Sequence, residues 1–304
     1  MMTATPLATT PELKAVPESP AARAKKRLSS PWASLAAIVI AILWTLPTFG
    51  LLLSSFRPEL AIKRTGWWTF FTNPEVTLDN YRAVFDSDTG VNLGTYFVNS
   101  LIICIPSVLI PLALASLAAY AFAWINFRGK NILFVAVFAL QIVPLQVTLI
   151  PLLTLFVKAG ISGTFWPLWL AHSTFALPLA IYLLHNFIKE IPATLIEAAR
   201  VDGAGHVSIF FKVMLPLLTP ALAAFGIFQF LWVWNDLLVA LVFAGGGDTV
   251  APITLQLANL TGTRGTAWHL LSSGTFVSII VPVTVFLLLQ RYFVRGLLAG
   301  SVKG

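Results

Sequence analysis

The sequence has little charge and almost no cysteine. Charged residues make up 10% of its 304 residues, against 58% hydrophobic residues. This composition excludes an ordinary soluble domain, because soluble domains carry about 25% charged residues. The single cysteine, Cys104, lies inside an apolar run, so the chain cannot form an internal disulfide.

Catalytic and nucleotide-binding motifs are also missing. The sequence contains no H-E-x-x-H, no G-x-S-x-G and no cysteine and histidine cluster with the spacing of metal ligands. It also lacks G-x-x-x-x-G-K-[ST], so any ATP that drives this protein binds to a different chain. We therefore expect a protein that is not an enzyme, with a membrane-embedded enzyme kept as an alternative.

Six long apolar runs fill most of the chain. They cover roughly residues 32–54, 101–124, 132–157, 165–187, 217–244 and 274–294. A bilayer core of about 30 Å needs about 20 apolar residues in a helix, and each run meets that length. The sequence predicts an all-α, polytopic membrane protein with six transmembrane helices. We interpret the first run as a retained span rather than a signal peptide, because no small-residue cleavage site follows it.

The basic residues divide unevenly between the two predicted sides of the membrane. The N-terminal tail, the turn with Arg128 and Lys130, the 188–216 loop and the C-terminal tail hold 13 of the 19 Lys and Arg residues. By the positive-inside rule, both termini face the cytoplasm. The net charge of +7 thus reflects topology and does not require a nucleic acid partner. Residues 1–30 read as a disordered basic cytoplasmic tail, before a single membrane domain at 31–304.

The polar gap between the fourth and fifth runs has the signals of a short helix. Thr194 and Glu197 have the T-x-x-E spacing of a capping box, which predicts a helix that begins near Leu195. Gly203 and Gly205 offer positive φ angles for its exit. The gap therefore predicts a compact, capped helix rather than a slack linker.

Several polar side chains fall inside or near the apolar runs. They are Asn99, Gln141, His172, His185, Gln229, Asn235 and Asp236. Asp236 is the only acidic residue within a predicted span, and a carboxylate at that depth must face protein or water. Contact with a passing solute and a hydrogen bond between two helices are both open interpretations of this residue.

The polar gap resembles the EAA loop of permease subunits in binding-protein-dependent ABC importers. The matching residues are Glu197, Ala198, Ala199, Gly203, Val213, Leu215 and Pro216. Further stretches resemble the second, MalG-like permease of the maltose-type carbohydrate importers: N-S-L at 99–101, L-A-A-Y-A-F at 117–122, W-N-D at 234–236 and Q-R-Y-F-V-R-G at 290–296. The fourth and fifth runs and the tail are most similar to permeases of the alpha-glucoside and glucose type.

This resemblance implies a division of labour between chains. A homologous MalF-like permease completes the pore, two ABC ATPase subunits bind ATP and Mg, and an extracytoplasmic sugar-binding protein delivers the sugar. This chain would bind no cofactor itself and would lie among the lipids of the bacterial inner membrane. The implied solute is a di- or oligosaccharide such as an alpha-glucoside, or glucose; a non-sugar solute such as glycerol phosphate is the alternative.

The resemblance also implies roles for particular residues. In the loop 191–216, the residues expected to couple to the ATPase are Glu197, Ala198, Ala199, Asp202, Gly203, Leu215 and Pro216. The candidate pathway residues are Asn99, Gln141, Asn235 and Asp236. The outer loops are 55–97 and 245–273, and the second of these would reach toward the binding protein. A passive channel or an ion-coupled carrier, the remaining alternative, would not require a capped coupling helix.

Overall fold

The computed structural model describes residues 31–86, 88, 91–245, 249–261 and 267–299, with side chains as far as residue 290. No strand occurs in these residues. The α-helices are α1 (Pro31–Ser55), α2 (Glu59–Arg64), α3 (Asp79–Phe85), α4 (Leu93–Trp124), α5 (Lys130–Ala139), α6 (Leu145–Lys158), α7 (Trp166–Glu190), α8 (Ala193–Val201), α9 (His206–Ile209), α10 (Leu215–Trp234), α11 (Leu238–Phe243), α12 (Ile253–Thr261) and α13 (Trp268–Ala299). The predicted tail at 1–30 lies outside the described residues, as do parts of the predicted 245–273 loop.

Five helical segments in the described chain are long and apolar enough to cross a membrane. They are Pro31–Ser55, Leu93–Trp124, Trp166–Glu190, His206–Trp234 and Trp268–Gln290. A sixth crossing is possible if the bent pair Lys130–Ile142 and Leu145–Lys158 counts as one span. The all-α, six-span prediction is confirmed in this form.

The third predicted span is not one straight helix. It bends by 102° between Ile142 and Leu145, where a single run over 132–157 was expected. The break lies at Pro144, which has no N–H to donate and which disfavours a helical conformation in the residue before it. Val143 is accordingly extended, with φ −71° and ψ 118°.

The fifth predicted span also ends earlier than expected. Its helix stops at Trp234 rather than near residue 244, and the short helix α11 follows after a turn. Asn235 leaves the helical conformation, with φ −91° and ψ 1°, while its main-chain N–H and its Nδ2 both donate to the Leu231 carbonyl, at 3.2 Å and 2.7 Å. At the other end, the helical segment begins at His206, before the apolar run.

Two compact units divide the chain, with the boundary between Leu51 and Leu52. Within the second unit, α4 and α7 pack against each other through small, buried residues that include Ala115, Ala119, Ala176 and Ala180. Small side chains allow two membrane helices to approach closely, where dispersion contacts replace the hydrophobic effect.

Two buried clusters lie in this second unit. The loop-side cluster includes Tyr120, Phe122, Leu184, Ile188, Ile196, Ile209, Phe210 and Met214. The far-side cluster includes Leu93, Leu168, Trp234, Phe243 and Ile253. The polar gap between the fourth and fifth runs is thus attached to the loop-side cluster, while the segment after α11 is attached to the far-side cluster.

The 55–97 segment is folded around a buried arginine. Arg57 donates to the Gly66 carbonyl at 3.0 Å, to Thr65 Oγ1 at 2.6 Å and to Thr69 Oγ1 at 2.9 Å. Asn80 Nδ2 adds a bond of 2.8 Å to the carbonyl of Arg57. Both terminal nitrogens of this buried guanidinium have acceptors, whereas its Nε has none among the described residues, and the network fixes the start of the segment.

Candidate functional site

Helix α8 begins without the predicted capping box. It spans Ala193–Val201, its N-cap residue is Pro192, and no side chain caps its first turn. The prediction placed Thr194 at the cap and the helix start near Leu195, so both were wrong by about two residues. The physical reason is Pro192, whose φ of −57° and ψ of 131° bring the chain to the helix directly at the following residue.

The end of α8 forms a Schellman motif. The Ala204 N–H donates to the Ala199 carbonyl at 2.9 Å, and the Gly203 N–H donates to the Arg200 carbonyl at 3.0 Å. Gly203 has φ +80°, so its predicted left-handed conformation is confirmed. Gly205 has φ −76° and is extended, so its predicted positive φ was wrong. One left-handed residue is enough to complete the motif, and Gly205 instead precedes α9.

Two contacts attach this helix–turn unit to the membrane helices. Ile196 is fully buried in the loop-side cluster, whose other members include residues of α4, α7 and α10. The hydroxyl of Tyr120, near the end of α4, shares a hydrogen bond of 3.0 Å with His206 Nδ1. The Tyr120 ring also meets the Phe210 ring edge to face at 5.4 Å. These contacts join the helix–turn unit to the loop-side cluster and to the end of α4.

The outer face of α8 is open to a partner. Glu197, Ala198 and Asp202 are all exposed, while Ala199 is partly covered by the loop-side cluster. The predicted coupling residues therefore have two kinds of position. Glu197, Ala198 and Asp202 lie on the surface, whereas Ala199 and Gly203 build the turn that holds this surface in place.

Leu215 and Pro216 follow a π-helical turn at Phe210–Met214. There the Leu215 N–H donates to the Phe210 carbonyl, five residues earlier. Pro216 lacks an N–H, and a local π adjustment is one way in which a helix accommodates such a residue. The predicted L-P pair therefore marks an irregular joint between α9 and α10.

Asn99 binds main chain on the far side of the molecule. Its Nδ2 donates to the Ala251 carbonyl at 3.1 Å. The neighbouring Ser100 Oγ accepts the Ile253 N–H at 2.8 Å. The pair therefore ties α4 to the start of α12. Sequence reasoning did not select Ser100, although it is part of the N-S-L stretch.

We expect Ser100→Ala to destabilise the protein by about 1–3 kcal/mol, because the buried N–H of Ile253 loses its acceptor. The midpoint of thermal unfolding in detergent measures this loss. Ser116→Ala is the matched control, since Ser116 Oγ donates only within its own helix, to Ala113. Equal midpoints for the two variants would show that the Ser100 bond contributes nothing.

Asn235 and Asp236 form the turn between α10 and α11. Asp236 Oδ2 accepts the Ala240 N–H at 3.1 Å and lies 3.9 Å from His172 Nε2 on α7. Thr254 Oγ1 donates to the Asp236 carbonyl at 2.6 Å. Asp236 also lines a cavity of about 10 Å³, close to the volume that one water molecule needs.

Gln141, the fourth candidate pathway residue, is located elsewhere. It lines an open cleft of about 280 Å³ together with Gln229 and aromatic residues of α7 and α10. Asn99 and Asp236 both bind the segment 251–254, whereas Gln141 lies beside the break in the third span. Asn99 and Asp236 therefore lie near the same segment, whereas Gln141 faces a separate cleft.

Known proteins similar to this chain are membrane components of transport systems. Residues 111–298 match the family described as the binding-protein-dependent transport system inner membrane component. A permease for uptake of osmoprotective compounds from Synechocystis sp. is 55% identical, over 88% of this chain and 91% of that protein. The alpha-glucoside transport system permease of Rhizobium meliloti is 51% identical, over 78% of this chain and 63% of that protein.

A trehalose transport permease of Mycobacterium tuberculosis is 36% identical, over 91% of this chain and 99% of that protein. Among solved structures, a bacterial ABC transporter that imports the acidic polysaccharide alginate contains a chain with the same fold. The TM-score is 0.67 at 19% identity, over 91% of this chain and 99% of that chain.

Proposed function

Because this chain belongs to the family of inner membrane components of binding-protein-dependent transport systems, we propose that it is the MalG-like permease subunit of a sugar importer. The single observation that carries the coupling role is the geometry of α8. This short helix exposes Glu197 and Ala198, while Ile196 on its other face is fully buried in the loop-side cluster. A permease that must transmit work from a separate ATPase needs such an element.

We further propose that the loop-side end of the molecule faces the cytoplasm. Basic residues lie at the start of α5, at the end of α7 and in the segment between α7 and α10: Arg128, Lys130, Lys189, Arg200 and Lys212. An excess of basic residues on short loops is typical of the cytoplasmic side. This orientation would bring α8 to the membrane face where an ATPase binds, and both chain termini would lie on that side.

In the proposed mechanism, α8 moves as a unit when the ATPase subunits move. Nucleotide-driven closure of two ATPase subunits would displace α8, with Glu197 meeting a basic or donor group of the ATPase. The Schellman turn and Ile196 would pass this displacement to α4, α7 and α10, and the pore formed with a MalF-like permease would open to the other side. ATP and Mg would stay on the partner chains, and this subunit would perform no chemistry.

The names of the relatives support a sugar as the solute. Relatives are described as permeases for alpha-glucosides, trehalose and arabinooligosaccharides. We propose an alpha-glucoside or a related di- or oligosaccharide, delivered by an extracytoplasmic binding protein. The relative named for osmoprotective compounds favours a second candidate, a small osmoprotective solute. Glycerol phosphate remains a third solute to test.

Uptake by the complete complex in proteoliposomes tests this function. The complex contains the partner permease, the ATPase and the binding protein, and the solutes are maltose, sucrose, trehalose, glycine betaine and glycerol 3-phosphate. We expect ATP-dependent uptake of at least one of the three sugars and none of glycerol 3-phosphate. Uptake of glycine betaine alone would favour the osmoprotectant function, and uptake of glycerol 3-phosphate alone would contradict the sugar assignment.

A further inference from the structure

A cleft opens at the break in the third span. It lies between this break, α7 and α10, and its volume is about 280 Å³. Small-molecule sites begin at about 300 Å³ and combine mostly apolar walls with a few polar groups. The cleft lies just below this range, a size that suits one sugar ring rather than a whole oligosaccharide.

The broken helix itself suggests contact with water or solute. Residues around Val143 leave the helical conformation, which interrupts the regular main-chain hydrogen bonds. Non-helical backbone at membrane depth is tolerated where it is buried in protein or lines a water-filled cavity. Interrupted helices near the middle of the bilayer are also the usual components of solute sites in transporters. Gln141, next to the break, is exposed and lines the cleft.

A second glutamine lines the same cleft from α10. Gln229 is fully buried, and its Nε2 donates to the Ser107 carbonyl at 3.3 Å. Its Oε1 has no hydrogen-bond partner among the described residues. A buried acceptor without a donor costs about 1–3 kcal/mol, and a solute hydroxyl that enters as the cleft widens would supply the donor.

Aromatic rings complete the walls. Phe228 and Trp232 on α10 are 51% and 39% exposed, and Phe175 near the middle of α7 is partly exposed. Such rings offer flat apolar surfaces, and the Trp232 indole N–H can also donate a hydrogen bond. Flat rings beside amide groups match a sugar, which has apolar C–H faces and a rim of hydroxyls. A lipid tail would leave both glutamines without hydroxyl partners.

We propose that this cleft is a sugar-contact site of this chain during passage across the membrane. Trp232 and Phe228 pack against the face of one sugar ring, while Gln141 and Gln229 bind its hydroxyls. The site rests on the proposed function as a sugar permease. It adds that this subunit contacts the sugar directly, through α10 and the break in the third span.

The amount of sugar imported per ATP hydrolysed tests the site. We expect Trp232→Ala and Gln141→Leu each to lower this ratio about tenfold, which corresponds to about 1.4 kcal/mol. Maltose, sucrose and trehalose are the probes, in proteoliposomes that contain the complete complex. Hydrolysis stimulated by the loaded binding protein should persist in both variants, because α8 is intact. Trp232→Phe, which keeps a flat ring, should retain most of the ratio.

Two matched controls exclude a general packing effect. Phe138 is 42% exposed on α5, and Thr154 is exposed on α6; neither lines the cleft. Phe138→Ala and Thr154→Val should therefore keep the wild-type ratio. An unchanged ratio in Trp232→Ala and Gln141→Leu would overturn the sugar site alone. Absence of sugar-stimulated hydrolysis in the wild-type complex would instead overturn the proposed function, and the site with it.

Thiol labelling tests access to the cleft independently of transport rate. Gln141→Cys is placed in a Cys104→Ala background and treated with a cationic methanethiosulfonate reagent. We expect labelling that slows several-fold when the complex is turning over with maltose, sucrose or trehalose. Labelling of Thr154→Cys should not respond to these sugars. Failure of the reagent to reach Gln141→Cys, or labelling that the sugars leave unchanged, would contradict the proposal.

Discussion

Replacing Gly203 with proline is expected to abolish sugar import by the assembled complex. Gly203 has φ +80°, and its N–H donates to the Arg200 carbonyl at 3.0 Å. Proline fixes φ near −65° and has no N–H, so the variant cannot form the turn that ends α8. The exposed face of α8 would then lose its fixed orientation toward the ATPase. Import and ATP hydrolysis in proteoliposomes measure the loss.

The neighbouring glycine provides the matched control for this prediction. Gly205 has φ −76°, and open space surrounds the position of a Cβ atom there. Gly205→Ala should therefore leave import close to the wild-type rate. Gly203→Asn should retain much of the activity, because asparagine tolerates the left-handed conformation better than other residues with a Cβ atom. Normal import by Gly203→Pro would mean that the turn has no role in coupling.

Truncating Ile196 to alanine is expected to uncouple hydrolysis from import. This side chain is fully buried in the loop-side cluster, and large-to-small changes at such sites cost about 2–5 kcal/mol. The helix would still present Glu197 to the ATPase, but its attachment to the spans would loosen. We expect sugar imported per ATP to fall about tenfold, while hydrolysis continues.

Leu195 is the control for Ile196. It is the preceding residue of the same helix, it is aliphatic, and it is 45% exposed. Leu195→Ala removes similar atoms without opening a buried cavity, so the import ratio should stay near that of the wild type. Size-exclusion chromatography of the complex separates uncoupling from failed assembly. An Ile196→Ala complex that assembles and imports at the wild-type ratio would show that α8 does not act through this contact.

The sequence predicted those features that depend on local composition. Long apolar runs indicate where helices cross the membrane, and their positions agree with the structure for the first and fourth spans apart from end residues. The second and sixth helices begin eight and six residues before the predicted runs, at Leu93 and Trp268, inside the predicted outer loops. The left-handed Gly203 could also be predicted, since a glycine after a short polar helix is the usual Schellman residue. Both features depend on neighbouring residues alone.

Other features could not be predicted, because they depend on competition between local signals. The run at 132–157 is apolar throughout, and hydropathy does not distinguish a proline that a helix accommodates from one that breaks it. Helices α4 and α7 continue through Pro111 and Pro178, whereas the third span breaks at Pro144. Likewise, α8 begins directly after Pro192, so Thr194 lies inside the first turn and its hydroxyl does not cap the helix.

The grouping of polar residues required tertiary structure. Gln141 and Gln229 line one cleft although 87 residues separate them in the sequence. Asn99 and Asp236 had the same signal as Gln141, a polar side chain in or near an apolar run. In the structure, however, Asn99 donates to the Ala251 carbonyl, and the Asp236 carbonyl accepts a bond from Thr254. Tyr120 and His206 gave no signal, because their bond joins two distant segments.

The most direct measurement of the coupling role is ATP hydrolysis stimulated by the loaded binding protein, in a variant that reverses the charge of one exposed side chain of α8. Glu197→Lys changes an exposed residue of the proposed contact, and Glu190→Lys makes the same change at an exposed position at the end of α7. We expect Glu197→Lys to lower the stimulation about tenfold and Glu190→Lys to keep it. Equal stimulation in the wild type and in both variants would contradict the assignment of α8 as the coupling helix.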